Sequence, residues 1–258
     1  MEVTILGSGT STGVPAIQCK CSVCISDDFK NKRLRASAWL RIQGQSILID
    51  TSTDLRTQAL RADIKRVDAV LYTHPHADHI HGIDELRSFN FIQRQSIPVY
   101  GNHWTSKELK TKFSYIFHPG PVEGGGIPQL TLNEFDPEEK EIRVLGIPIT
   151  PIPVPHGTQQ CVGYRVHSFA YVTDCNEIPE KSLQRMRNLK TLVLDCVREK
   201  AHATHLNLEK ALWVVNQIRP TQTYLTHLSH DFDYSTWMKR LPSGVALAYD
   251  GLVIHSSQ

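Results

Sequence analysis

The stretch "VDAVLYTHPHADHIHG", Val67–Gly82, decides how the rest of the chain is read. Its first six residues are an apolar run that reads as a strand. Four histidines and an aspartate follow directly: His74, His76, Asp78, His79 and His81. The first four have the spacing H-x-H-x-D-H. Alternate positions of an extended loop face one side, so His74 and His76 can grip one ion while Asp78 and His79 turn toward a second. Neutral imidazole and carboxylate are the usual protein ligands of zinc, manganese and iron. A merely solvated loop would leave so dense a set of titratable groups without a purpose.

Working outward, twelve short runs read as strands: "VTIL", "AWLRI", "SILID", "DAVLYT", "IPVYG", "IPITPIPV", "GYRV", "FAYVTD", "TLVLD", "TYLTH", "VALAYD" and "LVIH". Several strands end in or run directly into a titratable residue, five of them at Asp50, His74, Asp174, Asp195 and His227. Turns favour aspartate, so one such ending means little; five together indicate side chains that can converge on one edge of a sheet. "LNLEKALWVVNQI" puts Leu208, Ala211, Leu212, Val215 and Ile218 on one helical face, with Asn207 as cap and Pro220 beyond the end. "TSKELKTKFSYIF" and "EIPEKSLQRMRNL" are shorter helices, and "HPGPVEGGGIPQ" is a glycine–proline loop. With no internal repeat and no low-complexity linker, the reading is one domain over 1–258, an α/β fold of two β-sheets covered by helices.

Composition narrows the classes. The 258 residues are 40% hydrophobic and 21% charged, with net charge +2, an ordinary globular balance. A strongly basic nucleic-acid binder would show more positive charge, which disfavours nucleic acid as partner. No run approaches the ~20 apolar residues of a membrane span. "MEVTILGSGTSTGVP" lacks the basic and long apolar regions of a secretory leader, so a cytoplasmic location and reduced thiols are expected. Cys19, Cys21 and Cys24 in "CKCSVC" then read as a thiolate metal site, one tetrahedral ligand short. Cys161, Cys175 and Cys196 lie in or beside apolar strands and read as small core residues.

H-x-H-x-D-H after a strand, preceded by "ILIDTS", resembles the metallo-β-lactamase superfamily over nearly the whole chain. Within it, "GSGTSTGVPAIQCKCSVC", "THLNLEKAL" and "LTHLSHDFD" look like the PhnP group of phosphodiesterases, relatives of tRNase Z. The resemblance implies a four-layer αββα sandwich of two mixed β-sheets flanked by helices. It implies two divalent cations (Mn²⁺ or Zn²⁺), one held by His74, His76 and His156, the other by Asp78, His79 and His227, with Asp174 bridging. Asp50 would sit behind the loop and fix ligand orientation, although it could be only a strand-end aspartate. His230 would complete a structural zinc site with Cys19, Cys21 and Cys24. His205 would be the general acid, with Asp78 also counted as catalytic; a capping role for His205, and His202 as its rival, stay open.

Two features outside that pattern were weighed. The glycines of "GSGTSTG" miss the dinucleotide fingerprint by one residue, leaving a tight turn or a phosphate cradle. Arg35 in the basic segment "KNKRLRASAWLR" could bind a substrate phosphate or lie on a solvated face. The expected function is hydrolysis of a small, cyclic or nucleotide-like phosphodiester by a hydroxide shared between two cations. The alternatives are a tRNase Z-like endonuclease and a non-catalytic metal-binding module. Only 17 residues separate His156 from Asp174, too few for the long arm of the bacterial nuclease. A homodimer is a further expectation of the resemblance.

Overall fold

Alternation along the first strands sets the layers. The computed structural model describes residues 1–120 and 126–256, so 121–125 of the expected glycine–proline loop lie outside the described residues. Val3 and Ile5, Ala38 and Leu40, and Ile47 and Ile49 share one buried cluster; their neighbours Leu6, Trp39 and Leu48 belong to another on the opposite face. A period of two with both faces apolar means a sheet covered on both sides.

Among the described residues there are fourteen strands: β1 (Glu2–Gly7), β2 (Ser37–Ile42), β3 (Gln45–Ile49), β4 (Ala69–Leu71), β5 (Ile97–Gly101), β6 (Leu130–Glu134), β7 (Ile142–Val144), β8 (Ile147–His156), β9 (Gln159–Val166), β10 (Phe169–Val172), β11 (Thr191–Asp195), β12 (Gln222–Thr226), β13 (Val245–Leu247) and β14 (Val253–His255). They form two seven-stranded sheets, ordered β14-β1-β2-β3-β4-β5-β6 and β13-β12-β11-β10-β9-β8-β7. Each is mixed: β3 to β6 and β10 to β13 run parallel, the remaining pairs antiparallel.

One cluster fills the space between the sheets, from Val3 and Leu40 to Tyr164 and Val193. Two others lie outside. Leu55, Leu86, Phe89 and Leu109, from helices Leu55–Arg61, Leu86–Gln93 and His103–Lys112, cover the first sheet. Met186, Ala211, Val214 and Trp237 cover the second. This is the expected αββα sandwich.

The helix Leu208–Ile218 is capped by Asn207, whose Oδ1 accepts from Lys210 N at 3.2 Å, and stops at Arg219 in a left-handed conformation. Its expected apolar face packs on the second sheet, with Val214 added. Sequence reading missed β6, β7 and the helices Leu55–Arg61 and Leu86–Gln93. It also ran "DAVLYT" to Thr73, where the ladder stops at Leu71.

Strand β8 carries Pro148, Pro151, Pro153 and Pro155. It tolerates the last three because they alternate and face away from β9 along an open edge. Their carbonyls accept instead from Arg185 Nη1, Ser182 Oγ and Asn176 N. The edge is thereby closed, and β8 delivers His156 rigidly to its end.

Candidate active site

The two sheets present their strand ends to one another, and five of the site's side chains come from there. Asp50 follows β3 directly, His74 lies three residues past β4, Asp174 two past β10, Asp195 closes β11 and His227 follows β12. Three of them have left-handed backbone: Asp50 (φ 63°), Asp174 (φ 53°) and His227 (φ 59°). Aspartate and histidine tolerate this region better than branched residues do, and the sharp turn swings the side chain off the strand.

Three of the imidazoles are oriented by the bond each makes on its far side. Asp50 is fully buried and accepts from Thr73 N (2.8 Å), Thr73 Oγ1 (2.8 Å) and His79 Nδ1 (2.7 Å). Since Thr73 Oγ1 gives its proton to Asp50, it accepts from His74 Nδ1 at 3.0 Å. His156 Nδ1 donates to the Thr204 carbonyl at 2.8 Å. These bonds leave Nε2 of His74, His79 and His156 as bare lone pairs. Burial pushes Asp50 upward, partly offset by His79.

Those lone pairs face carboxylates. His79 Nε2 lies 3.3 Å from Asp78 Oδ2 and 3.3 Å from Asp174 Oδ1. His227 Nε2 lies 3.6 Å from Asp78 Oδ2 and 3.5 Å from Asp174 Oδ2; His74 Nε2 lies 3.7 Å from Asp174 Oδ2 and 2.9 Å from His76 Nδ1. Apart from the last, these separations exceed a good hydrogen bond. They are close to the ~3.3 Å edge of a tetrahedron whose ligands lie ~2.0–2.1 Å from a common centre. Both His79 Nε2 and His227 Nε2 are buried with no hydrogen-bond partner.

Four sets of donor atoms each gather within 4.8 Å: His74, His76 and His156; Asp78, His79 and His227; His74, His79 and Asp174; and Asp174, Asp195, His205 and His227. The residues present therefore fit divalent cations: orphaned buried lone pairs next to carboxylates need a positive charge. Burial opposes charge on both Asp78 and Asp174, yet the imidazoles outweigh it and hold both well below the usual carboxylate range. Burial, reinforced by the neighbouring imidazoles, lowers His74, keeping it neutral as a ligand must be.

The sequence pattern hid one participant. Asp195 had been seen only as a strand ending. Its Oδ2 accepts from Leu206 N at 2.8 Å, while Oδ1 lies 3.4 Å from His205 Nδ1 and 3.7 Å from His227 Nδ1. Burial works against a charge on His205, but Asp195 and Asp174 prevail and raise its pKa to about 9. His205 stacks on His227 with ring centroids 4.8 Å apart. Trp104, 5.8 Å from the His76 ring, and Thr204 also border the site with no prior assignment. The clue to Asp195 was there: "TLVLD" repeats the strand-then-acid pattern of "SILID".

Some 200 residues of sequence separate "CKCSVC" from His230, yet Cys19, Cys21, Cys24 and His230 bring their donor atoms within 4.8 Å of one another. His230 Nδ1 is 3.3 Å from Cys19 Sγ and 3.4 Å from Cys24 Sγ. Burial pushes the Cys24 thiol up to about 11, so a thiolate there needs a cation beside it. Cys161, Cys175 and Cys196 are fully buried in the second sheet's outer core.

Gly7 and Gly9 let their loop lie against the 33–35 backbone: a Cβ on Gly7 would stand 1.9 Å from the Arg35 carbonyl oxygen. Thr10 N then bonds Leu228 O, next to His227. Arg35 is engaged locally. Its guanidinium pairs with Asp54 at 3.1 Å and donates to Ser11 O at 3.1 Å, clamping that loop.

Residues 45–228 match the family described as "Beta-lactamase superfamily domain". The chain belongs to this superfamily, in its metallo-β-lactamase form, and is a metal-dependent hydrolase. It is PhnP-like: a crystal structure described as a new diphosphatase from the PhnP family is 39% identical, covers 99% of this chain and 98% of its own, and superposes with TM-score 0.91. Zn²⁺-bound PqqB from Methylobacterium extorquens (19% identical, TM-score 0.80) and the short form of human tRNase Z (18%, 0.71) share the fold; each match covers 99% of this chain, and covers 100% and 99% of theirs. An octanoyltransferase of Porphyromonas gingivalis is 34% identical over 98% of this chain, but the chain spans only 51% of that protein's length.

Proposed function

We propose that this chain hydrolyses a small phosphodiester, with His74, His76, His156 and Asp174 holding one divalent cation and Asp78, His79, His227 and the same Asp174 holding a second. The single observation that carries this reading is the pairing of two chemistries at one spot. Orphaned imidazole nitrogens converge on two carboxylates, and beside them a further imidazole, His205, lies 3.4 Å from the buried carboxylate of Asp195. Zinc or manganese there would neutralise non-bridging phosphoryl oxygens and acidify a water.

The chain's own residues then divide the work. Asp50 and Thr73 lock His79 and His74 in the tautomer that offers Nε2, and Thr204 does the same for His156. Asp195 faces Nδ1 of His205, which leaves Nε2 to give its proton to the departing oxygen. Asp195 and Asp174 both favour the protonated form of His205. Support for a P–O bond as the target comes from the 39%-identical PhnP-family neighbour, described as a diphosphatase. The octanoyltransferase name belongs to a protein about twice as long, of which this chain matches about half.

A structural zinc held by Cys19, Cys21, Cys24 and His230 belongs to the same proposal, as do a cytoplasmic location and a homodimer. All four ligand positions there would be protein atoms, leaving no open place for water. No described helix is long and apolar enough to cross a membrane. The test is turnover of bis(p-nitrophenyl) phosphate by purified protein with Mn²⁺ or Zn²⁺, run beside a precursor tRNA. Diester hydrolysis without tRNA cleavage supports the reading. No turnover with any divalent metal supports a binding module, and tRNA cleavage alone supports a nuclease.

A further inference from the structure

His202 is left over by the mechanism, yet its geometry is defined. It lies on the loop between β11 and the helix Leu208–Ile218, half-buried, with its ring 5.0 Å from that of His205 at 64°. Its Nδ1 accepts from the Thr204 backbone N–H at 3.2 Å. A backbone N–H can only donate, so Nδ1 must be bare and the neutral ring carries its proton on Nε2. Burial, His205 and Arg198 all act to keep the ring neutral. Nε2–H has no partner among the described residues.

The loop is braced from below. Thr204 sends its N–H to His202 and its carbonyl to His156. Arg198 donates to the carbonyls of Lys200 and Ala201, which ties the start of the loop to its own backbone. A fixed N–H donor thus stands on the ring next to His205, the group that would protonate the leaving oxygen. An alcohol leaving group offers little to bind; a phosphate offers anionic oxygens one bond beyond the bridge.

We infer that His202 is a specificity-determining residue whose Nε2–H binds the leaving phosphoryl group of a diphosphate, which makes P–O–P linkages the preferred substrates of the proposed hydrolase. This rests on the functional reading above. In the reaction, water oxygen bonds to the attacked phosphorus and the P–O bond to the bridging oxygen breaks. The bridging oxygen leaves on the second phosphate and takes the His205 proton, and the attacking water releases one proton to solvent. His202 exchanges no proton; it holds the departing oxygens.

The test compares His202→Ser with wild type on a dinucleoside diphosphate and on bis(p-nitrophenyl) phosphate. Serine can accept the Thr204 N–H through its hydroxyl and so keep the turn while removing the outward donor. One charge-assisted hydrogen bond corresponds to roughly a 10- to 100-fold change. The expected result is a fall of about that size in the diphosphate-to-diester ratio of kcat/KM, carried mainly by KM. His202→Asn, which restores a donor, should recover part of it. Titration calorimetry with methylenediphosphonate should show weaker binding to His202→Ser by a similar factor.

Equal losses on both substrates would make His202 merely a brace for Thr204, and an unchanged ratio would remove it from recognition; either result overturns the inference. Wild-type turnover of the simple diester but not of the diphosphate also overturns it and leaves the phosphodiesterase reading intact. If wild type hydrolyses neither, that reading fails, and methylenediphosphonate binding still decides for or against His202.

Discussion

The chain contains two clusters of metal-type donors, and they are built on opposite plans. At Cys19, Cys21, Cys24 and His230 four donor atoms close on one centre, drawn from a loop and a distant turn. At the strand ends the donors are spread over two adjoining centres, braced from behind by Asp50, Thr73 and Thr204, with an imidazole and its carboxylate to spare. A closed set can only hold; an open set beside a proton donor can react. On the proposed function, the same elements, imidazole and an anionic partner, would yield a staple in one place and a reaction centre in the other.

The sharpest way to break that contrast is to remove the carboxylate on which both open centres depend. Asp174→Ala should lower kcat/KM by about 10³-fold or more, since several kcal/mol of charge stabilisation disappear with it. Metal analysis should show the active-site content falling while one tightly held ion per chain stays. Native-like activity in this variant would mean that the strand-end cluster is not the reaction centre. Brief chelation of wild type is the matching experiment: of about three metals per chain, one should resist.

Next in size comes the spare imidazole. His205→Ala should cost ~10²–10⁴-fold on a substrate with a poor leaving group, and much less with p-nitrophenolate, which departs without a proton. Equal losses on the two would make His205 a ligand or a cap rather than an acid.

Asp195→Asn is a finer probe, expected to cost roughly 10- to 100-fold as the loss of a group that orients another. Its stronger signature is in pH. A general acid must be protonated, so activity falls as pH rises through its pKa. That limb should lie at or below about 9 in wild type, because bound cations oppose the imidazolium. With the Asp195 charge gone the His205 pKa drops, so the limb must move to lower pH. A limb that stays in place would detach Asp195 from His205.

The contrast also explains what could be read from sequence. The H-x-H-x-D-H run is local, so His74, His76, Asp78 and His79 were legible at once, as were strands such as "SILID" that alternate cleanly. The ligand roles of His156, Asp174, His227 and His230 came only through resemblance, because no local rule says which of many strand-end residues meet in space. Asp195 shows the limit: its type and place were noticed, but its partners depend on β11 lying beside β12 and on the 196–207 loop folding back. The left-handed turns at Asp50, Asp174 and His227 had no glycine to announce them. Strand β7 is three residues long and β6 mostly polar, below the reach of any periodicity.

The smallest effect on turnover is expected at the closed cluster, and that is what makes it informative. Cys24→Ser removes a buried thiol that touches His230 and the Ala16 amide but no residue of the strand-end site. If this cluster is a staple, kcat should change by only a few-fold. Stability is where the loss should appear: the ion ties the 14–24 loop to the turn after β12, so its release should lower Tm by roughly 5–10 °C for a chain of this size. Calorimetry of the variant beside metal-loaded wild type measures that difference. A kcat loss as large as that of Asp174→Ala, with Tm unmoved, would mean that both clusters serve the reaction. His230 would then be the route by which the Cys cluster acts, because only His227, three residues before it, joins the two.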